Sequence, residues 1–146
     1  MAGGWYTSGL SKAFTGTLGD ITGASAVKVM LLTSAYTFNT DHDFRSDLTN
    51  EVSITGYTAG GSVAAVTVTS DDTNNRTDVV FGTGDITWTV SGGTLTARYA
   101  VYYRARGGAA TADELLFING FGSDVSTTST FTLQPSTFRF PNSSAP

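Results

Sequence analysis

The side chains from which chemistry would have to be built are few: one histidine, twelve Asp and Glu, and no cysteine. His42 stands between Asp41 and Asp43. A Ser-His-Asp hydrolase would also need a nucleophile on a sharp G-x-S-x-G elbow, and the chain has no such motif. His42 therefore reads as a solvated loop histidine. Asp41, Asp43, Asp47 and Glu51 place four carboxylates in one segment, but Arg45 occupies the position where a calcium loop needs an Asp or Asn ligand, and no glycine follows it. Asp71, Asp72 and Asp78 form a second acidic group and read as a solvated turn. Glycoside hydrolysis needs two acids facing each other across a cleft. Asp113 and Glu114 are adjacent, so on a strand they point to opposite faces. GTGDIT from Gly82 and GFGSDV from Gly120 lack the third glycine and the strand-to-helix setting of a dinucleotide fingerprint. No catalytic residue, cofactor or metal site is expected. Trp5, Tyr57, Trp88, Tyr102 and Tyr103 are candidates for a sugar-stacking platform, although packing into a core is the ordinary fate of such rings.

The elements that would carry these residues are mostly strands. The run Thr94 to Arg104 alternates Leu95, Ala97, Tyr99, Val101 and Tyr103 with Thr96, Arg98, Ala100, Tyr102 and Arg104. A two-residue period puts the first set on a core face and the second toward water or a partner. Ala26–Thr33 predicts a strand covered on both faces, since both of its alternating sets are largely apolar. Further strands are expected at Ser53–Tyr57, at Ser62–Thr69 with Ala64, Val66 and Val68 inward, at Asp78–Gly82, and at Asp85–Val90 with Ile86, Trp88 and Val90 inward. Glu114–Asn119 reads as a central strand. Phe131–Leu133 and Phe138–Phe140 are short segments parted by Pro135, which cannot donate to a ladder and marks an edge or crossing.

Between these lie turn signals. Asp20–Ser25 and the DDTNN of Asp71–Asn75 suit turns, because Asn and Asp tolerate left-handed backbone. Gly92-Gly93 is expected to close a hairpin into the Thr94 strand, Arg106–Ala112 to form a flexible loop, and Gly120–Ser129 to turn the chain. The Asn39–Glu51 segment predicts a loop with one or two helical turns, capped by Thr40 or Asp41, with Phe44 and Leu48 inward. Near the N-terminus Tyr6, Leu10, Ala13 and Phe14 have the spacing of one apolar helix stripe, shortened by Gly9 and Gly16.

Composition agrees with an all-β fold. Only 14% of the 146 residues are charged, against a usual ~25%, and Gly, Thr and Ser take their place. The net charge of −4 argues against a nucleic-acid partner, which calls for a dense basic face. No apolar run approaches the ~20 residues of a membrane helix, and the first residues lack a signal-peptide pattern, so a soluble protein made and kept in the cytoplasm, or assembled there into something larger, is expected. The expected architecture is a single antiparallel β-sandwich, jelly-roll-like, of about eight strands. Residues 1–20 would form an N-terminal arm or short helix, 21–140 the β-sandwich domain, and 141–146 (PNSSAP) a flexible C-terminal tail.

Several stretches carry a resemblance: WYTSGLSKAFTG, VKVMLLTSAYTFNTDHDFRSDL, NEVSITGYTAGG, and DVVFGTGDITWTV leading into TARYAVYYR, in that order across roughly residues 5 to 133. Together they resemble a family of small virion structural proteins of tailed bacteriophages, some of which are head decoration or cement proteins. The resemblance implies a β-sandwich on the outer capsid surface, made in the host cytoplasm. It implies a homotrimer near local three-fold positions that clamps neighbouring subunits of the major capsid protein. Trp5, Tyr6, Phe14, Phe138 and Phe140, the aromatics of the two ends, are the candidate interface residues. A tail or adaptor component and a carbohydrate-binding module are the alternatives.

Overall fold

The computed structural model describes residues 3–141. It contains ten strands: β1 Gly4–Trp5, β2 Val27–Leu32, β3 Ser62–Val63, β4 Val66–Asp71, β5 Arg76–Phe81, β6 Ile86–Thr89, β7 Leu95–Arg104, β8 Leu115–Thr127, β9 Thr130–Leu133 and β10 Ser136–Pro141. One helix, α1 Thr7–Thr15, precedes β2, and single 3₁₀ turns lie at Arg45–Asp47 and Ala110–Ala112. A five-stranded sheet runs β1-β8-β7-β2-β3. A three-stranded ladder, β10-β5-β4, and a two-stranded ladder, β6-β9, complete the strands, and every pairing is antiparallel. The chain is an all-β, sandwich-like domain with a short N-terminal helix. The tail expected at 141–146 lies outside the described residues except for Pro141, which ends β10.

β7 is the middle strand of the large sheet, but it does not keep one alternation along its length. Ala97 pairs with Val125 and Tyr99 with Gly120, so Arg98 stands opposite the four residues Phe121–Asp124. Such a bulge reverses the parity of the strand. Leu95 and Ala97, then Ala100 and Tyr102, face the sandwich interior. Tyr99, Val101 and Tyr103 face the other side, under Tyr6, Tyr36, Phe38 and Leu48. The expected exposure of Ala100 and Tyr102 is thus overturned, since both are fully buried. A second irregularity sets Tyr102 against Phe117 and Tyr103 against Leu115, leaving Leu116 as the extra residue.

β2 is buried on both faces, as its double apolar pattern requires. Gly61 is needed beside it. Its φ of 74° suits glycine, and a Cβ there would collide with the Val29 carbonyl.

Other expectations are corrected by pairing. Ser53–Tyr57 forms no strand, because only Glu51 bridges to Leu32 before the chain turns at Tyr57. Ser62–Thr69 is split at Ala64–Ala65, so that Ser62 and Val63 join β2 while Val66 onward joins β5. Gly92-Gly93 closes no hairpin, because β6 pairs with β9 and not with β7. Gly120–Ser129 is mostly strand, continuing β8 to Thr127. The loop turn at Arg45–Asp47 is capped by neither Thr40 nor Asp41: the Asp47 carboxylate accepts the N–H groups of Phe44 (2.9 Å) and Asp43 (3.0 Å). The Asp71–Asn75 turn and the Pro135 crossing, from the β6 ladder to the β5 ladder, are as expected.

Candidate interaction surface

The three-stranded ladder stacks its side chains in rows. On one face the rows are Val66–Phe81–Ser136, Val68–Val79–Phe138 and Ser70–Thr77–Phe140. On the other face lie Asp71, Arg76, Asp78 and Arg139, joined by ion pairs Arg76–Asp71 at 3.1 Å, Arg76–Asp78 at 3.1 Å and Arg139–Asp78 at 3.6 Å. The polar face is the solvated one. The apolar face meets the large sheet at the Phe81 row, which is buried, and reaches past it at the Phe140 row, where cover runs out.

Helix α1 forms the opposite wall. It reaches the sheet through Gly9, where a Cβ would collide with the Leu115 carbonyl, so the helix lies directly on the β8 backbone. That contact rotates the expected stripe. Gly9 is buried, Leu10 half-buried, and Ala13 and Phe14 are exposed. Phe14 is 75% exposed and Val68 49%. Between helix and ladder a wedge-shaped groove of about 470 Å³ is lined by Trp5, Leu10, Phe14, Val68, Val79 and Phe140.

Aromatic contacts run through the groove from core to solvent. Phe81 stacks on Phe117 at 5.3 Å with planes 4° apart. Trp5 meets Phe81 edge-on at 5.9 Å and Phe138 at 5.8 Å. Phe138 meets Phe140 at 4.7 Å, and Phe140 meets Phe14 at 6.2 Å. Edge-to-face pairs at these separations are favourable beyond their buried area. The Trp5 indole Nε1 is buried with no acceptor among the described residues, so the ring is placed by packing and by the pairing of its backbone with Phe117.

Of the five candidate interface residues, four are therefore gathered at one place: Trp5, Phe14, Phe138 and Phe140. Tyr6 is not. It precedes α1, is fully buried on the other face of the large sheet, and its hydroxyl lies 3.1 Å from that of Tyr36. Burial, then the bond to Tyr36, raises its pKa well above the ordinary tyrosine value. Tyr6 is a core residue, and its place at the interface is withdrawn. Sequence reasoning missed Leu10, Ile21, Val68 and Val79. Val68 was expected inward with Val66; the ladder's overhang leaves it open instead.

The residues considered for chemistry are spread out. His42 Nδ1 lies 3.0 Å from the Tyr36 hydroxyl and is half-buried, which makes it a supporting group of the Tyr6–Tyr36 contact and not a fully solvated one. The N–H groups of Phe44 and Asp43 hold the Asp47 carboxyl below its ordinary range. Asp71 accepts the Asn74 side-chain and backbone N–H, which lowers it likewise. Asp113 accepts Arg45 Nε at 2.8 Å, and Glu114 takes Arg106 through two bonds of 2.9 and 3.0 Å. No group of three or more metal-ligating side chains occurs among the described residues. Trp88, Tyr102 and Tyr103 are buried, and the Tyr57 hydroxyl is held between Glu51 and the Leu31 N–H. These four rings form no surface platform. No family model, curated protein or solved structure matches the chain.

Proposed function

We propose that the chain is a structural virion protein that decorates the outer surface of a bacteriophage capsid and stabilises it by bridging neighbouring major capsid subunits as a homotrimer. The observation that carries this reading is the open aromatic wedge, in which a phenylalanine on α1 projects into water beside the uncovered end of an apolar ladder face. Large exposed apolar residues gathered at one place mark interaction sites. The order of segments from WYTSGLSKAFTG to TARYAVYYR supports the same reading by its resemblance to phage virion proteins.

The mechanism is binding alone. Phe14 and Phe140 would insert against a capsid subunit, while Trp5 and Phe138 hold them from behind. One wedge buries a modest area. Three wedges on one trimer engage a fixed lattice together, and the effective concentration of the second and third contacts multiplies the affinity of the first. The test is the copy number of this chain per virion beside co-sedimentation of purified chain with capsids. A ratio near one to one with the major capsid protein, and loss of co-sedimentation in Phe14→Asp, are expected. A far smaller ratio would move the protein to the tail or a vertex.

A further inference from the structure

The face of the large sheet that carries Met30, Leu32, Val101 and Tyr103 continues past its cover to Lys28. There it opens into a second cavity, of about 390 Å³, with chemistry opposite to that of the wedge. Its walls are small: Ala59, Gly60, Ala105, Gly107 and Gly108. Small walls leave the charged groups reachable. Lys28 stands directly across from Tyr103 in the β2–β7 ladder, and the Arg45 guanidinium lies 5.3 Å from the centre of the same ring. Cross-strand partners are near neighbours on one face. Two cations therefore flank one tyrosine.

The acceptors close by are already engaged. Asp113 takes Arg45 Nε at 2.8 Å and the Arg106 N–H at 2.8 Å. Glu51, behind Gly60, takes the Tyr57 hydroxyl at 2.8 Å and the Gly60 N–H at 2.6 Å. The Tyr103 hydroxyl donates to the Gly60 carbonyl at 2.6 Å, and burial pushes its pKa up to about 12, so the ring carries no charge. Among the described residues nothing accepts from Lys28 Nζ or from the two terminal nitrogens of Arg45. The bond from Nε to Asp113 and the contact with the Tyr103 ring hold the guanidinium at the cleft and leave the two terminal nitrogens as free donors.

We infer that this cleft binds a carboxylate presented by a peptide, with Lys28 Nζ and the Arg45 Nη pair as its donors. The lining holds two cations and one anion, Asp113. Glu51, behind Gly60 and met only by neutral donors, offsets the second cation. A singly charged carboxylate can still take the free donors, whereas a phosphate dianion would add twice the negative charge to a site whose surroundings already balance. Charge-assisted bonds from an arginine fork to a carboxylate are short and directional. The alanine and glycine walls accept the short stem of an acidic side chain or the last residue of a chain. The cleft shares no lining residue with the aromatic wedge, and the inference stands whether or not the capsid reading does.

The test is an NMR titration of the full chain, following backbone amide shifts, with acetate, N-acetylglycine, N-acetylglutamate amide and inorganic phosphate at equal ionic strength. Saturable shifts confined to Lys28, Gly60, Gly107 and Gly108 are expected with the carboxylates. Lys28→Gln should weaken them at least fivefold without moving the thermal midpoint. Arg45→Lys, which keeps the charge and loses the fork, should weaken them less. The tighter of N-acetylglycine and N-acetylglutamate amide tells a chain terminus from an acidic side chain. Shifts that never saturate, phosphate binding more tightly than every carboxylate, or a Lys28→Gln protein that binds unchanged would each overturn the assignment.

Discussion

Phe81 and Phe14 are joined by a short run of ring contacts and end in opposite environments. Phe81 is fully buried, with its ring over Phe117 and 4.8 Å from Tyr102. Phe14 is mostly in water, touching Phe140 at its edge. Residue type does not separate them. What differs is how far the ladder overhangs the body: the Phe81 row lies over the large sheet, and the Phe140 row lies past it. A chain that covers one end of an apolar face and leaves the other open has a core and an exposed apolar groove in one continuous run of aromatic contacts.

The contrast can be broken at its inner end first. Phe81→Ala should cost about 3–5 kcal/mol, the usual range for a fully buried phenylalanine, read as a fall in the denaturant midpoint. A loss below about 1 kcal/mol would mean that the inner ring is not the anchor. Next comes the wall of the wedge. Gly9→Val drives a side chain into the Leu115 carbonyl, and an overpacked contact of this kind costs on the order of 1–3 kcal/mol. Trp5 fluorescence should shift to the red as α1 lifts from β8. An unchanged spectrum would refute the close approach.

A third effect belongs to the polar side of the molecule. Burial works against the Glu114 carboxylate, yet the bonds from Arg106 outweigh it and hold its pKa below the ordinary 4.5. A depressed folded-state value stabilises the fold fully above the unfolded pKa, and this contribution fades as pH falls through the folded one. Unfolding midpoints measured from pH 6 down to pH 3 should therefore drop more steeply for the wild type than for Glu114→Gln. Parallel slopes would mean that the pair adds nothing. The smallest change in stability is expected at the outer end. Phe14→Asp should stay within about 0.5 kcal/mol of wild type, as exposed substitutions do, while capsid co-sedimentation is lost. Clear destabilisation there would place Phe14 in the core and remove the comparison.

Much of this was legible along the chain. The β2 run reads as buried on both faces because Val27, Val29 and Leu31 alternate with Met30 and Leu32, and it is. Pro135 marks the crossing between ladders because it has no N–H to give. Three of the five candidate interface rings, Trp5, Phe14 and Phe140, line one groove and Phe138 packs against two of them, because both chain ends feed the same region, β1 through Trp5 and β10 through Phe138 and Phe140. Tyr6 is the exception, because it precedes α1 and packs with Tyr36 and Phe38 on the other face of the large sheet. The exposure of Ala13 and Phe14 has a local reason: a helix stripe drawn from 3.6-residue spacing assumes that the apolar side chains make the contact, whereas α1 reaches β8 through Gly9. The carboxylate cleft was not legible at all, since Lys28, Arg45 and Tyr103 come from three distant segments, and nothing in their spacing announces that they share one face.

By itself the sequence determined the β character, the turns at Asp71–Asn75 and Asp20–Ser25, and the short helix after Trp5. These follow from two-residue alternation, from residues that tolerate left-handed backbone, and from helix spacing, all of which act within a few residues. Only the tertiary structure decided that Ala100 and Tyr102 turn inward, that β6 pairs with β9 across the Gly92-Gly93 segment, and that Val68 stays open beside Phe14. Each of these depends on which distant strand pairs with which, and in what register. A bulge opposite Arg98 reverses every side chain beyond it, and that bulge exists only once β8 has paired with β7.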